Sequence, residues 1–240
     1  MIFNKIVIFF IALIIPVIAF ALPKTTSLVP SKVYIPIGFD SNDSSEIVIE
    51  GQYMNSCYRS GLPTHTIDEE RKKITVYNKT YVYENDFCLM VIVGYSKVIN
   101  LGLLKPGNYS VHFDGSERNE PMGMLPIAQS TAPSQDDYLY APVDRVTFKP
   151  ARSNKAARII LHGRFTNSCM SMDTVKVHRG ANSDSIAVLP VAKMGMGNCH
   201  PADTPFNHEV SLEGHGKGRV LLHVRSLNGQ SINNIVNLWK

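Results

Sequence analysis

The sequence predicts an all-β protein made of two tandem β-sandwich modules, each closed by one internal disulfide. Three observations carry this. An eleven-residue phrase occurs twice, four cysteines fall as two pairs at matching positions, and apolar residues alternate at period two with no sustained helical periodicity.

The repeat is read first. Ile47-Val48-Ile49-Glu50-Gly51-Gln52-Tyr53-Met54-Asn55-Ser56-Cys57 stands 112 positions before Ile159-Ile160-Leu161-His162-Gly163-Arg164-Phe165-Thr166-Asn167-Ser168-Cys169, with five identities and mostly same-class exchanges elsewhere. Past the second cysteine of each copy the offset becomes 111 and holds: Tyr95 meets Phe206, Ile99 meets Val210, Leu101 meets Leu212, and Tyr109–Phe113 meets Val220–Val224. Drift of one residue across so many anchors marks a duplicated module.

Taken in order, residues 1–21 read as a leader. Lys5 gives a positive start, Ile6–Phe20 is an apolar run, and Ala19-Phe20-Ala21 is a small-residue cleavage pattern, so cutting is expected after Ala21 with Leu22 as the mature N-terminus. The rival is an uncleaved anchor, but the run is short against the roughly 20 residues of a spanning helix. No membrane span is expected in the mature chain. Module 1 is assigned to 22–127, a linker to 128–141 and module 2 to 142–240. The linker is marked by Thr131-Ala132-Pro133-Ser134-Gln135-Asp136-Asp137.

Within the modules, Ile47/Ile49 and Ile159/Leu161 alternate, as do Tyr109, Val111 and Phe113 against Ser110 and His112. Ile74–Tyr77 and Ile186–Leu189 are β-rich runs, and Lys105-Pro106-Gly107-Asn108, Gly214–Gly218 and Asn228-Gly229 are turn signals. Met122–Ile127 and Ile232–Leu238 are expected as the closing strands of the two copies.

Four cysteines in an exported chain read as disulfides, with three connectivities open. The duplication selects Cys57–Cys88 and Cys169–Cys199, since each copied module carries its own complete bond. The structural repeat residues are Gly51 and Gly163, where a glycine inside a strand marks a bulge or close approach, and Asn55 and Asn167, suited to capping a turn at the strand end.

The whole mature chain resembles bacterial secreted or periplasmic proteins built of tandem immunoglobulin-like, fibronectin-III-like β-sandwich modules. It departs from true immunoglobulin domains in a cysteine spacing about half of theirs and in lacking the core tryptophan between the cysteines. The resemblance implies a scaffold and no particular activity.

No catalytic residues and no cofactor are expected. There is no G-x-S-x-G elbow, no H-E-x-x-H and no phosphate loop in a β–α context. Ser56 and Ser168 beside the cysteines read as turn residues. A formal charge of +4 and a longest basic run of Arg71-Lys72-Lys73 give no footprint for nucleic acid. Histidines and methionines gather in module 2, where Met170, Met172, Met194, Met196 and His200 are the soft donors that would suit copper. The plainer reading places those methionines in core gaps and the histidines, His112 and His223 among them, on solvated strand faces. Tyrosines crowd module 1, including Tyr53, Tyr58, Tyr81 and Tyr95, and are interface material.

The expected function is a secreted or periplasmic, non-catalytic binding protein engaging a protein or glycan partner. Alternatives are copper handling through module 2 and inhibition of a secreted enzyme. Partner identity and oligomeric state are left open.

Overall fold

The structure, a computed structural model, describes residues 22–83, 87–117, 120–134, 136–152, 155–180 and 183–238. The leader expected over 1–21 lies outside the described residues. What is described is strand, turn and loop, with no helix among it.

The first module carries β1 (Lys24–Ser27), β2 (Lys32–Tyr34), β3 (Ser45–Tyr53), β4 (Tyr58–Ser60), β5 (Thr64–Asp68), β6 (Lys73–Tyr77), β7 (Lys79–Val82), β8 (Val93–Gly102), β9 (Gly107–Phe113) and β10 (Gly123–Ile127). The second carries β11 (Val143–Lys149), β12 (Arg158–Asn167), β13 (Met170–Arg179), β14 (Ser185–Met194), β15 (Pro201–Ser211), β16 (Arg219–Ser226) and β17 (Gln230–Asn237).

Each module pairs a three-stranded sheet with a four-stranded one. In the first these are β2-β3-β8 and β10-β9-β6-β5; in the second, β11-β12-β15 and β13-β14-β16-β17. The duplication extends to register. β6 runs parallel to β9 with Ile74 opposite Val111, and β14 runs parallel to β16 with Ile186 opposite Leu222. An immunoglobulin domain also places its third, sixth and seventh strands in one layer, but its fourth strand joins the other layer; here the fourth strand of module 2 lies in that layer too, beside the sixth and in parallel. Module 1 adds a small sheet, β1-β7-β4.

The two cores are built from matching positions. Ile47, Ile49, Ile74, Val76, Ile99, Leu101, Tyr109, Val111, Phe113 and Leu125 form the first. Ile159, Leu161, Ile186, Val188, Val210, Leu212, Val220, Leu222, Val224 and Val236 form the second. Alternation sends these side chains to one face of each sheet, and each fully buried aliphatic contributes about 1.5–3 kcal/mol.

Alternation alone does not account for β3 and β16. Ser45–Ile49 is buried at every position, and so is all of β16 after Arg219. The second faces of these strands are covered because the two modules pack against each other there. The solvated face expected for His223 is thus corrected: its ring is 1% exposed and its edge packs on Phe39 across the seam. Its counterpart His112 is half-buried, with Nε2 3.1 Å from Ser110 Oγ.

The seam is a ladder of complementary residues. Along β16, Arg219, Leu221, His223 and Arg225 meet Glu50, Val48, Glu46 and Asp43 in turn. Arg219 Nε donates to Glu50 Oε2 at 2.9 Å, Leu221 clusters with Val48 and Tyr34, His223 Nδ1 lies 3.3 Å from Glu46 Oε1, and Arg225 Nη2 pairs with Asp43. Asp136, from the connecting segment, adds a second carboxylate 3.4 Å from Arg225. That segment is strapped down as well: Ala141 N–H bonds Pro190 O at 2.7 Å, and Asn42 Nδ2 reaches Ala132 O at 2.5 Å.

Candidate functional site

The Asn-Ser-Cys corner is the same device in both modules. Asn55 Oδ1 accepts the Cys57 N–H at 2.9 Å, and Asn167 Oδ1 accepts the Cys169 N–H at 2.9 Å. Each is a turn closed by the asparagine side chain, which aims the following cysteine. Each serine then exchanges two hydrogen bonds with the residue after the partner cysteine. Ser56 N–H donates to Leu89 O at 3.0 Å and Ser56 Oγ accepts from Leu89 N–H at 2.8 Å. Ser168 N–H donates to His200 O at 3.0 Å and Ser168 Oγ accepts from His200 N–H at 3.1 Å. The disulfides Cys57–Cys88 and Cys169–Cys199 complete the two clips. With no cysteine left free, the chain fits an oxidising, non-cytosolic compartment.

The repeated glycines mark a close approach. Gly51 pairs with Tyr95 across β3 and β8, and Gly163 with Phe206 across β12 and β15. A Cβ at either glycine would stand 2.5 Å from the opposing ring's Cζ, so the aromatic lies flat where a side chain would be. The same rings stack on the residue two further along: Tyr95 on Tyr53 at 4.6 Å, Phe206 on Phe165 at 4.5 Å. In module 1, Tyr58 extends the stack beyond Tyr53.

Beyond the clips the modules diverge. In module 2 the donors proposed for copper are divided. Met170 is buried with Phe165, Ala141 and Ala192, and Met172 packs on the same cluster. Met194, opposite Met170, is half-exposed, and Met196 stands fully in solvent. His200 turns its Nδ1 to Ser168 Oγ at 3.2 Å. Among the described residues no group of three or more His, Cys, Asp or Glu is placed to hold a metal.

In module 1 the clip releases an apolar run into solvent. Phe87 is 90% exposed, Met90 83% and Ile92 68%, with Leu89, Val91 and Val93 also exposed; Met54, beside the clip, is 69% exposed. A run of large apolar side chains open to water marks a contact surface. This rim was missed in the sequence, where an unbroken apolar run reads as a buried strand. The run passes directly into β8, which ends its sheet and, among the described residues, has β3 as its one hydrogen-bonded neighbour in the strand order. The rim is tied near both ends, by the disulfide at Cys88 and, through Val93 opposite Tyr53, to the tyrosine stack.

Electrostatics are concentrated at the seam rather than at the rim. Arg219 holds the Glu50 carboxyl below its ordinary range. At Glu46 burial pushes upward, but hydrogen bonds from His223, Ser231 and Asn233 outweigh it and hold the group low. Burial and the hydrogen bond to Glu50 push Tyr34 up to about 12.

No helix among the described residues is long and apolar enough to cross a membrane. Neither curated proteins nor solved structures give a match to the chain. Residues 47–121, from β3 into the turn before β10, match the family model of the ORF11 beta-sandwich domain.

Proposed function

We propose that the chain is an exported, non-catalytic binding protein that engages a protein partner through the apolar rim of its first module. The leader through Ala21 delivers it, residues 22–127 and 142–240 are its immunoglobulin-like modules, and 128–141 joins them. The single observation carrying the reading is the exposed run Phe87–Val93 on a disulfide-anchored mount. An apolar rim favours a protein partner over a glycan, because desolvating such side chains is the main favourable term in protein association. The seam supports the reading in another way. Locking the modules together fixes the rim on a rigid body, so little ordering is needed on docking.

The test replaces Met90 and Ile92 together with aspartate. The wild-type and variant chains are immobilised and compared for capture of exported proteins from producing cells. The expected result is a captured protein lost with the variant while far-UV circular dichroism and both disulfides are unchanged. An identical captured set from both chains would overturn the reading.

A further inference from the structure

The two modules treat their open sheet edges differently. β15, at the edge of the module 2 sheet, carries Pro201, Pro205, Asp203 and Glu209, and prolines and charges on an edge strand block further pairing. β8, the equivalent edge in module 1, has no proline, and its one charged residue does not guard it. Lys97 turns inward, donating to Asn78 Oδ1 at 2.7 Å, Gly61 O at 3.1 Å and Lys79 O at 3.2 Å. The residues alternating with it, Ser96 and Val98, are uncharged and exposed. Module 2 stops short of them, leaving a groove of about 470 Å³ between the outer face of β8 and β17. An exposed edge strand of ten residues without a guard is a template for another strand.

We infer that β8 pairs with β8 of a second copy, antiparallel about a two-fold axis, giving a homodimer with one sheet continuous across both chains. This rests on the docking reading of the rim and names its occupant. The strand is self-complementary. A two-fold axis at Lys97 sets the apolar run before β8 of one copy beside the residue after β8 of the other, and that residue is Leu103, itself 67% exposed. Leu103 is thereby covered by Val91 and Ile92 of the opposite chain. With the axis at Lys97, Ser96 of one copy meets Val98 of the other, so no like charges face each other on the outer side; Lys97 meets its counterpart on the inner side, where each ammonium is held by its own Asn78, Gly61 and Lys79. The size is sufficient too. Met54, Phe87, Leu89, Met90, Val91, Ile92, Val98 and Leu103 are all exposed. At roughly 60–120 Å² per side chain they offer on the order of 500–900 Å² per copy, near the ~800 Å² per partner of a standard interface. Antiparallel pairing of one strand with itself closes after two chains, because β8 is used up and the other edge of the sheet is the three-residue β2.

Sedimentation velocity on the full mature chain, from low micromolar to several hundred micromolar, tests the pairing with two charge variants, S96K/V98K and S96E/V98E. The wild type is expected to dimerise, each variant alone to weaken dimerisation about tenfold or more, and their equimolar mixture to recover it. Recovery in the mixture cannot arise from misfolding of either variant. Dimers that persist undiminished in both variants would overturn pairing at β8. A wild-type chain that stays monomeric throughout would overturn self-association, while capture by wild type and not by the Met90/Ile92 variant would still stand for the rim as a docking surface.

Discussion

Arg225 and Asp43 are a deeply buried ion pair of the seam, and removing the carboxylate gives the sharpest prediction of how the modules are held. The Arg225 side chain is 8% exposed, Asp43's is 6% and Asp136's is 15%. Arg225 Nη2 serves both carboxylates, and Arg225 Nε has no hydrogen-bond partner. In Asp43→Ala the guanidinium keeps only Asp136, at 3.4 Å. Breaking a buried pair costs about 3–5 kcal/mol, and the retained carboxylate puts this case at about 3. Asp43 Oδ2 also accepts the Asp40 N–H at 3.0 Å, so Asp43→Asn is the control that keeps this turn and removes the charge. Replacing both partners, Asp43→Leu with Arg225→Met, leaves no orphaned charge and is expected to cost far less than the sum of the single changes. Urea unfolding followed by far-UV circular dichroism reads the wild type, Asp43→Ala, Asp43→Asn, the single changes Asp43→Leu and Arg225→Met, and the double change. The wild type is expected to unfold in one transition, and Asp43→Ala to separate into two as the modules uncouple. Single changes that add within about 0.5 kcal/mol would refute the reasoning, because independent sites add and coupled ones do not.

Gly163→Ala should destabilise module 2 by roughly 1–3 kcal/mol, since the new methyl meets both the Phe206 ring and the Pro142 carbonyl; thermal melting checks it, and a neutral result would contradict the close approach. Replacing Cys169 and Cys199 by serine opens a loop of 30 residues and should cost about 3–4 kcal/mol, read by urea unfolding. The seam should also weaken in acid. Glu46 and Glu50 titrate below their ordinary 4.5 in the folded chain, so their stabilisation is fully present above that value and is lost as pH falls through the depressed folded values. Melting temperature should therefore drop more steeply below about pH 4.5 for wild type than for Glu46→Gln/Glu50→Gln, and parallel profiles would contradict it.

Much of this architecture is legible in the sequence because duplication supplies its own control. The repeated phrase gives the register, the paired disulfides and the glycines, since a feature present in both copies answers to the module and not to one surface. The seam was less accessible. Period two identifies one face of β3 and β16 and leaves the other as solvent. Burial of His223 and Val48 appears only when Arg219-x-Leu221-x-His223-x-Arg225 is set against Asp43, Glu46, Val48 and Glu50, a match between segments 169 residues apart at Glu50 and Arg219. The rim escaped for the opposite reason. Residues 87–93 have the composition of a core strand, and only the fold shows that no layer covers them. Pattern along a chain reports what a residue prefers; what packs over it is settled by elements distant in sequence.

The most direct measurement is site-specific photocrosslinking in cells that export the chain, with the photoreactive residue at position 90 in one strain and at position 196 in another. Both side chains are open to solvent, Met90 on the rim of module 1 and Met196 on the loop of module 2. A docking surface at the rim predicts a discrete protein adduct, homotypic or with another chain, from position 90 and none from position 196. No adduct from position 90, or the same adducts from both positions, would contradict it.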